Sequence, residues 1–138
     1  MGVDGSANSR RAVKTAIDLM DKQRDLIHIV HVPLAMELEP GLGAAVLEEL
    51  VKRRQESIDQ LLNEMRELCS KEGACNVNAF ATDTKLGPRA EVVKQAVGLD
   101  ADFVVLGSRG MSMMQRLVVG STVDYVLNNL PCTVIVVK

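Results

Sequence analysis

Short, nearly continuous apolar runs alternate along this chain with longer stretches whose apolar residues recur every three or four positions. The first pattern predicts strands covered on both faces, the second amphipathic helices. Met1 to Asp4 reads as the tail of a strand that stops at Asp4-Gly5-Ser6. Residues 8–22 then place Ala12, Val13, Ala16, Ile17 and Met20 on one helical stripe, with Arg10, Arg11, Lys14 and Asp18 elsewhere. "DLIHIVHV" (25–32) predicts a second strand, and the prolines and glycines of "PLAMELEPGLG" predict a loop. From Ala44 to Glu72 helical spacing is kept by Leu47, Leu50, Val51, Ile58, Leu61, Leu62, Met65 and Leu68. Unbroken, that helix would run about 43 Å at 1.5 Å per residue. Its heptad-like spacing fits a coiled coil, but a long helix packed on a sheet is the plainer reading, with Gly73 as its C-terminal stop.

Residues 75–82 predict a third strand, and Gly87-Pro88 opens a helix with Val92, Val93, Ala96 and Val97 on its buried stripe. "DFVVLG" (102–107) predicts a fourth strand and "CTVIVVK" (132–138) a fifth, with a short helix from Ser121 to about Asn129 between them. Strands separated mostly by helices imply an α/β fold, a parallel sheet with helices on both faces. Such sheets bind ligands at the carboxyl ends of their strands, where strand order reverses. Asp4 and Gly107 both end strands, so both belong to that edge.

Composition narrows the function. At 138 residues the chain fits one domain, and 47% hydrophobic with 25% charged residues is ordinary for a soluble protein. Aromatics are scarce, so the core must be built from Val, Leu, Ile, Ala and Met. A net charge of −2 with scattered basic residues counts against nucleic acid as a partner. The three cysteines show no CxxC pairing, which suggests reduced thiols in a cytoplasmic setting. The apolar runs are too short to span a membrane, and no signal-peptide pattern is visible.

The candidate chemistry lies in "LGSRGMSMMQRLVVGST" (106–122), whose Gly107, Gly110 and Gly120 read G-x2-G-x9-G, followed by Ser121 and Thr122. Glycines let backbone approach an anion, and hydroxyls at a helix start add donors where the macrodipole favours negative charge. The same residues also suit a plain turn, with Ser121 as an N-cap. This is not a Walker A loop, which needs a lysine before the hydroxyl; nor is it G-x-G-x-x-G. Asp4 could accept hydrogen bonds from a ribose or base, or help hold Mg²⁺, while Ser6, Asn8 or Ser9 suits the cap of the first helix. His28 and His31, three apart on a strand, point to opposite faces and do not suit one metal. No nucleophile–base set emerges from the spacings.

"VDGSANS", "HIVHV", "LGPRAEVVKQA" and "DFVVLGSRG…VVGSTVDYVLNNLPCTVIVV" together resemble the universal stress protein family over nearly the whole chain. The G-x2-G-x9-G-[ST] pattern resembles that of its ATP-binding branch. The resemblance implies a Rossmann-like five-stranded parallel sheet in the order 3-2-1-4-5, of the adenine nucleotide alpha hydrolase type. It implies ATP or another adenine nucleotide as cofactor, with Mg²⁺ as its companion ion. Gly2, Val3, Asp4 and Val32 would line the adenosine pocket, and Leu106, Gly107, Ser108 and Arg109 would flank the nucleotide. Gly110, Gly120, Ser121 and Thr122 would hold the phosphates. A regulatory, stress-response role and a homodimer through Cys132 to Lys138 follow from the same likeness. Slow ATP hydrolysis in the pocket, or a nucleotide-free dimeric module, are the alternatives. Only Met1 and Gly2 precede Val3, whereas the family's first strand carries several more apolar residues. A truncated first strand and an altered pocket floor near Gly2 are therefore expected.

Overall fold

The computed structural model describes residues 1–36, 40–82, 86–109 and 120–138. The elements follow the alternation in the sequence: β1 (Gly2–Val3), α1 (Ala7–Leu19), β2 (Ile27–His31), α2 (Ala44–Lys71), β3 (Val77–Ala81), α3 (Pro88–Gly98), β4 (Phe103–Gly107), α4 (Ser121–Asn129) and β5 (Thr133–Val137). The five strands form one sheet in the order β3-β2-β1-β4-β5, and every pairing is parallel. The order implied by the family resemblance is the order observed.

Alternation along the strands divides the apolar residues between two cores. On one face Val3, Ile27, Ile29, Ala79 and Val105 pack with Ala12, Val13, Ala16 and Ile17 of α1 and Leu62, Met65 and Cys69 of α2. On the other, Val30, Val32, Val104 and Leu106 pack with Val92 and Ala96 of α3 and Val123 and Val126 of α4. Both faces are covered, which is why β2 and β4 read as continuous apolar runs rather than alternating ones.

Two helices depart from the predicted stripes. In α3, Val97 is exposed and Glu91 is buried in its stead. In α2 only the C-terminal half reaches the sheet, through Leu62, Met65 and Cys69; Val46, Leu50 and Val51 are exposed. The first turns of this 28-residue helix therefore keep helical spacing without burying it among the described residues. Its end is as predicted: Gly73 adopts φ 81° and donates its N–H to Ser70 O at 3.0 Å.

The central strand is the short one. Its register is Gly2↔Val30 and Val3↔His31 on one side and Gly2↔Leu106 on the other. By contrast, β2–β3 and β4–β5 each pair over five levels. Among the described residues no helix is long and apolar enough to cross a membrane.

Candidate functional site

The carboxyl edge of the sheet is assembled at the crossover between β1 and β4. Leaving β1, the chain turns at Gly5, whose φ of 82° is open to glycine without Cβ strain. Asp4 Oδ1 closes that turn by accepting from Ser6 N–H at 3.0 Å. Ser6 then caps α1: its Oγ accepts from Ser9 N–H at 3.1 Å, and Ser9 Oγ donates back to Ser6 O at 2.9 Å. The capping role expected in this segment falls to Ser6, with Ser9 buried behind it.

The end of β4 is tied down on three sides. Ser108 N–H donates to Val137 O at 2.7 Å, and Ser108 O accepts from Gly120 N–H at 3.1 Å. Ser6 Oγ lies 3.5 Å from Arg109 O, a long contact that links the β1 turn to the β4 loop. Gly107 meets the first turn of α1: a Cβ there would stand 2.7 Å from Asn8 C and 2.9 Å from Asn8 O. A Cβ on Gly120 would stand 3.3 Å from Ser108 O. Gly107 is thus required by backbone contact within the protein, while Gly120 sits in a tight fit against Ser108 O. Gly110, the third, lies outside the described residues, as do Met111, Met113 and Met114.

Gly120, not Ser121, is the N-cap of α4, and no side chain supplies a cap hydrogen bond. Ser121 and Thr122 are the first two helical residues, exposed and half-buried respectively. The helix start therefore presents backbone N–H groups and hydroxyls rather than a self-satisfied cap, the arrangement that favours an anion.

Val3, Val32 and Leu106 are all buried, Val3 in the core against α1 and Val32 and Leu106 in the core against α3 and α4. They shape the edge chiefly by fixing where its backbone runs. Gly2 sits between Val30 and Leu106, and a Cβ there would stand 3.1 Å from Leu106 Cδ2 and 3.2 Å from Val92 Cγ2. The structure thus gathers the 4–6 turn, the 108–109 loop and the 120–122 helix start on one edge.

Two polar anchors stand at this end: His31, a satisfied structural histidine rather than a metal ligand, and Glu91, which escaped the sequence reading. His31 Nδ1–H donates to Val3 O at 2.9 Å, which pins the end of β1 and uses the histidine structurally. Glu91 is fully buried; its Oε1 accepts from Gln95 Nε2 at 2.7 Å and Thr82 Oγ1 at 3.2 Å, and Lys94 Nζ stands 3.6 Å from Oε2. The glutamate joins the first turn of α3 to the end of β3. Its position in a first helical turn was the available signal, but an acid there is ordinarily solvated and serves the helix dipole. No group of three or more His, Cys, Asp or Glu suited to a metal occurs among the described residues.

The universal stress protein family model matches residues 1–138, the whole length of the chain. The chain belongs to the universal stress protein family. A universal stress protein of Thermus aquaticus is 29% identical over 139 residues, covering 100% of this chain and 96% of the relative. Among solved structures, universal stress protein UspA from Lactobacillus plantarum superposes with a TM-score of 0.77 at 24% identity, covering 99% of this chain and 94% of that one. A universal stress protein solved in complex with cAMP gives 0.72 at 22% identity, covering 100% and 93%. Family structures from Archaeoglobus fulgidus with dAMP and from Arabidopsis thaliana with AMP give 0.64 and 0.66, at 20% and 16% identity. Each covers 99% of this chain, and 94% and 88% of its own. At these identities the likeness to the solved structures is one of fold.

Proposed function

We propose that this universal stress protein binds ATP or another adenine nucleotide at the carboxyl edge between β1 and β4. It would act as a cytoplasmic regulatory protein of the stress response through nucleotide-dependent shape or partner choice. The observation that carries the reading is the start of α4: a glycine-capped first turn, hydrogen-bonded to Ser108 and bearing Ser121 and Thr122. A helix start of this kind favours phosphate. The complexes of similar folds with cAMP, dAMP and AMP supply the adenosine part of the reading.

In this proposal Asp4 meets the ribose or base, while Gly2, Val3 and Val32 form the wall of the adenosine pocket. Leu106, Gly107, Ser108 and Arg109 flank the nucleotide. The phosphates lie against Gly110, Gly120, Ser121 and Thr122, as in the ATP-binding branch of the family, with Mg²⁺ neutralising their charge. The 138 residues act as one nucleotide-binding domain, and β5, at the sheet edge, pairs with a second copy through Cys132 to Lys138.

Titration calorimetry with ATP, ADP and AMP in the presence of Mg²⁺ tests the proposal. Saturable binding is expected, weakened at least tenfold by Gly120→Val, whose branched side chain would press on Ser108 O and the phosphate path. Ser121→Ala, which leaves the backbone alone, should weaken triphosphate binding more than AMP binding. No saturable heat with any of the three nucleotides would overturn the proposal.

A further inference from the structure

The sheet ends at β3 on one side, and among the described residues no strand pairs with its outer flank. Alternation decides which backbone groups face outward: the N–H and C=O of one strand residue point to one side, those of the next to the other. Asn76 O accepts from Ile27 N–H, and Thr82 N–H donates to His31 O. Asn76, Asn78, Phe80 and Thr82 therefore turn their backbone groups to β2, while Val77, Ala79 and Ala81 turn theirs outward. The strand itself reads VNAFA, with neither a charge nor a proline to discourage pairing. A flank of this kind is a template for a strand of another chain.

Protection comes instead from α2. Met65 is fully buried over the sheet, and the next residue, Arg66, lies about 100° further round the helix. Its Nη2 donates to Ala79 O, the middle one of the three outward carbonyls. Its Nη1 donates to Asn63 Oδ1 at 2.9 Å, one turn back on α2, which holds the guanidinium in the orientation that reaches the strand. Glu64 and Glu67 are its neighbours on the helix, yet Glu64 pairs with Arg10 and Glu67 with Lys71. Arg66 is directed to two neutral oxygens, one of them the strand's.

We propose that Arg66 guards the outer flank of β3, preventing its antiparallel pairing with β3 of a second copy of this chain. A second copy is the partner excluded because the outward residues are self-complementary. A twofold axis at Ala79 sets Val77 of each strand against Ala81 of the other and matches donors with acceptors on both. To form that ladder, the incoming strand must take Ala79 O for its own N–H and break a charge-assisted hydrogen bond. It must also displace the guanidinium or bury it without a counter-charge, which is strongly unfavourable. The lane is blocked at its midpoint, with a single outward residue, Val77 or Ala81, on either side.

The test uses Arg66→Met and Arg66→Gln, which remove the charge and keep most of the side chain's length. Each full chain is followed by sedimentation velocity over a range of concentrations, with amide exchange read by NMR at Val77, Ala79 and Ala81. The expected result is a concentration-dependent association beyond any that the unmodified chain shows. Exchange at those three amides should slow about tenfold as it proceeds. Folding is read separately, from protected amides at Ile29 and Val104. A folded variant that sediments as the unmodified chain does at every concentration would overturn the proposal. So would association that leaves the three amides exchanging freely, since the contact would then lie elsewhere. Slow exchange at these amides in the unmodified chain would show the flank already paired and would also overturn it. Failure of both variants to fold would do the same, because Arg66 would then be a folding contact and not a guard.

Discussion

The two edges of the sheet are built on different terms. At the carboxyl edge the ends of β1 and β4 are fixed by short hydrogen bonds, a capped helix and backbone packed against backbone at Gly107 and Asn8. At the amino edge β2 and β4 stand apart around a slot, with apolar side chains at its rim. The candidate nucleotide edge depends on the β1 ladder at Gly2 and Val3, which pair with Val30, His31 and Leu106. The edges should therefore differ in how much a perturbation costs and in what relieves it.

The largest difference is expected for added methyl groups. Gly107→Ala forces a Cβ to 2.7 Å from the backbone of Asn8, which cannot rotate away, so a loss of about 3 kcal/mol is expected from urea unfolding. Gly2→Ala meets only the side-chain ends of Leu106 and Val92 at the top of the slot, and about 1 kcal/mol or less is expected. Equal costs would break the contrast.

Next in size is a pH dependence that belongs to the slot. Burial lowers the Met1 amino group from 8.0 to about 6. Between those values the unfolded chain binds more protons than the folded one, so stability falls as pH drops from about 8 to 6 and levels off below. The two-unit difference corresponds to about 2–3 kcal/mol. The slot also carries His28, Asp25, Asp100 and Asp102. His28 is itself lowered, chiefly by burial and then by the nearby ammonium. Denaturation at a series of pH values, with and without N-terminal acetylation, isolates the amine: the acetylated chain should lose most of the slope above pH 6.5.

A smaller effect is expected from Ser6→Ala, which removes the α1 cap and the contact to Arg109 O. The cost should be about 1 kcal/mol, accompanied by amide shifts at Arg109 and Ser108 rather than at His28. The smallest is expected for Glu64→Gln, far from either edge. Arg10 hydrogen-bonds Glu64 and holds its carboxyl below the ordinary 4.5, but both side chains are more than two-fifths exposed. Its contribution is present above pH 4.5 and lost as pH falls through the lowered folded value. Unfolding at neutral pH should show about 0.5 kcal/mol or less, diminished further by salt.

Much of this was legible in the sequence, for identifiable reasons. The strands and helices announced themselves because apolar period and glycine or proline punctuation agreed at each boundary, as at Gly73 and Gly87-Pro88. The strand order came from family likeness, since an alternating pattern constrains neighbours only loosely. Spacing also singled out Gly107 and Gly120, but not the reason for them: the Asn8 contact joins positions about a hundred residues apart. Glu91 was hidden because its burial depends on Thr82 and Gln95 meeting it in three dimensions. The exposure of the first turns of α2 was hidden as well, because spacing records a stripe whether or not a partner covers it.

The central claim, a nucleotide site at the carboxyl edge, is tested most directly by titrating the isotope-labelled chain with Mg²⁺-ATP and following backbone amides by NMR. Saturable shifts are predicted for Asp4, Ser108, Arg109, Ser121 and Thr122, with His28 and Val105 at the opposite edge unmoved. A titration that leaves the first group unchanged, or that moves the slot residues instead, would contradict the account.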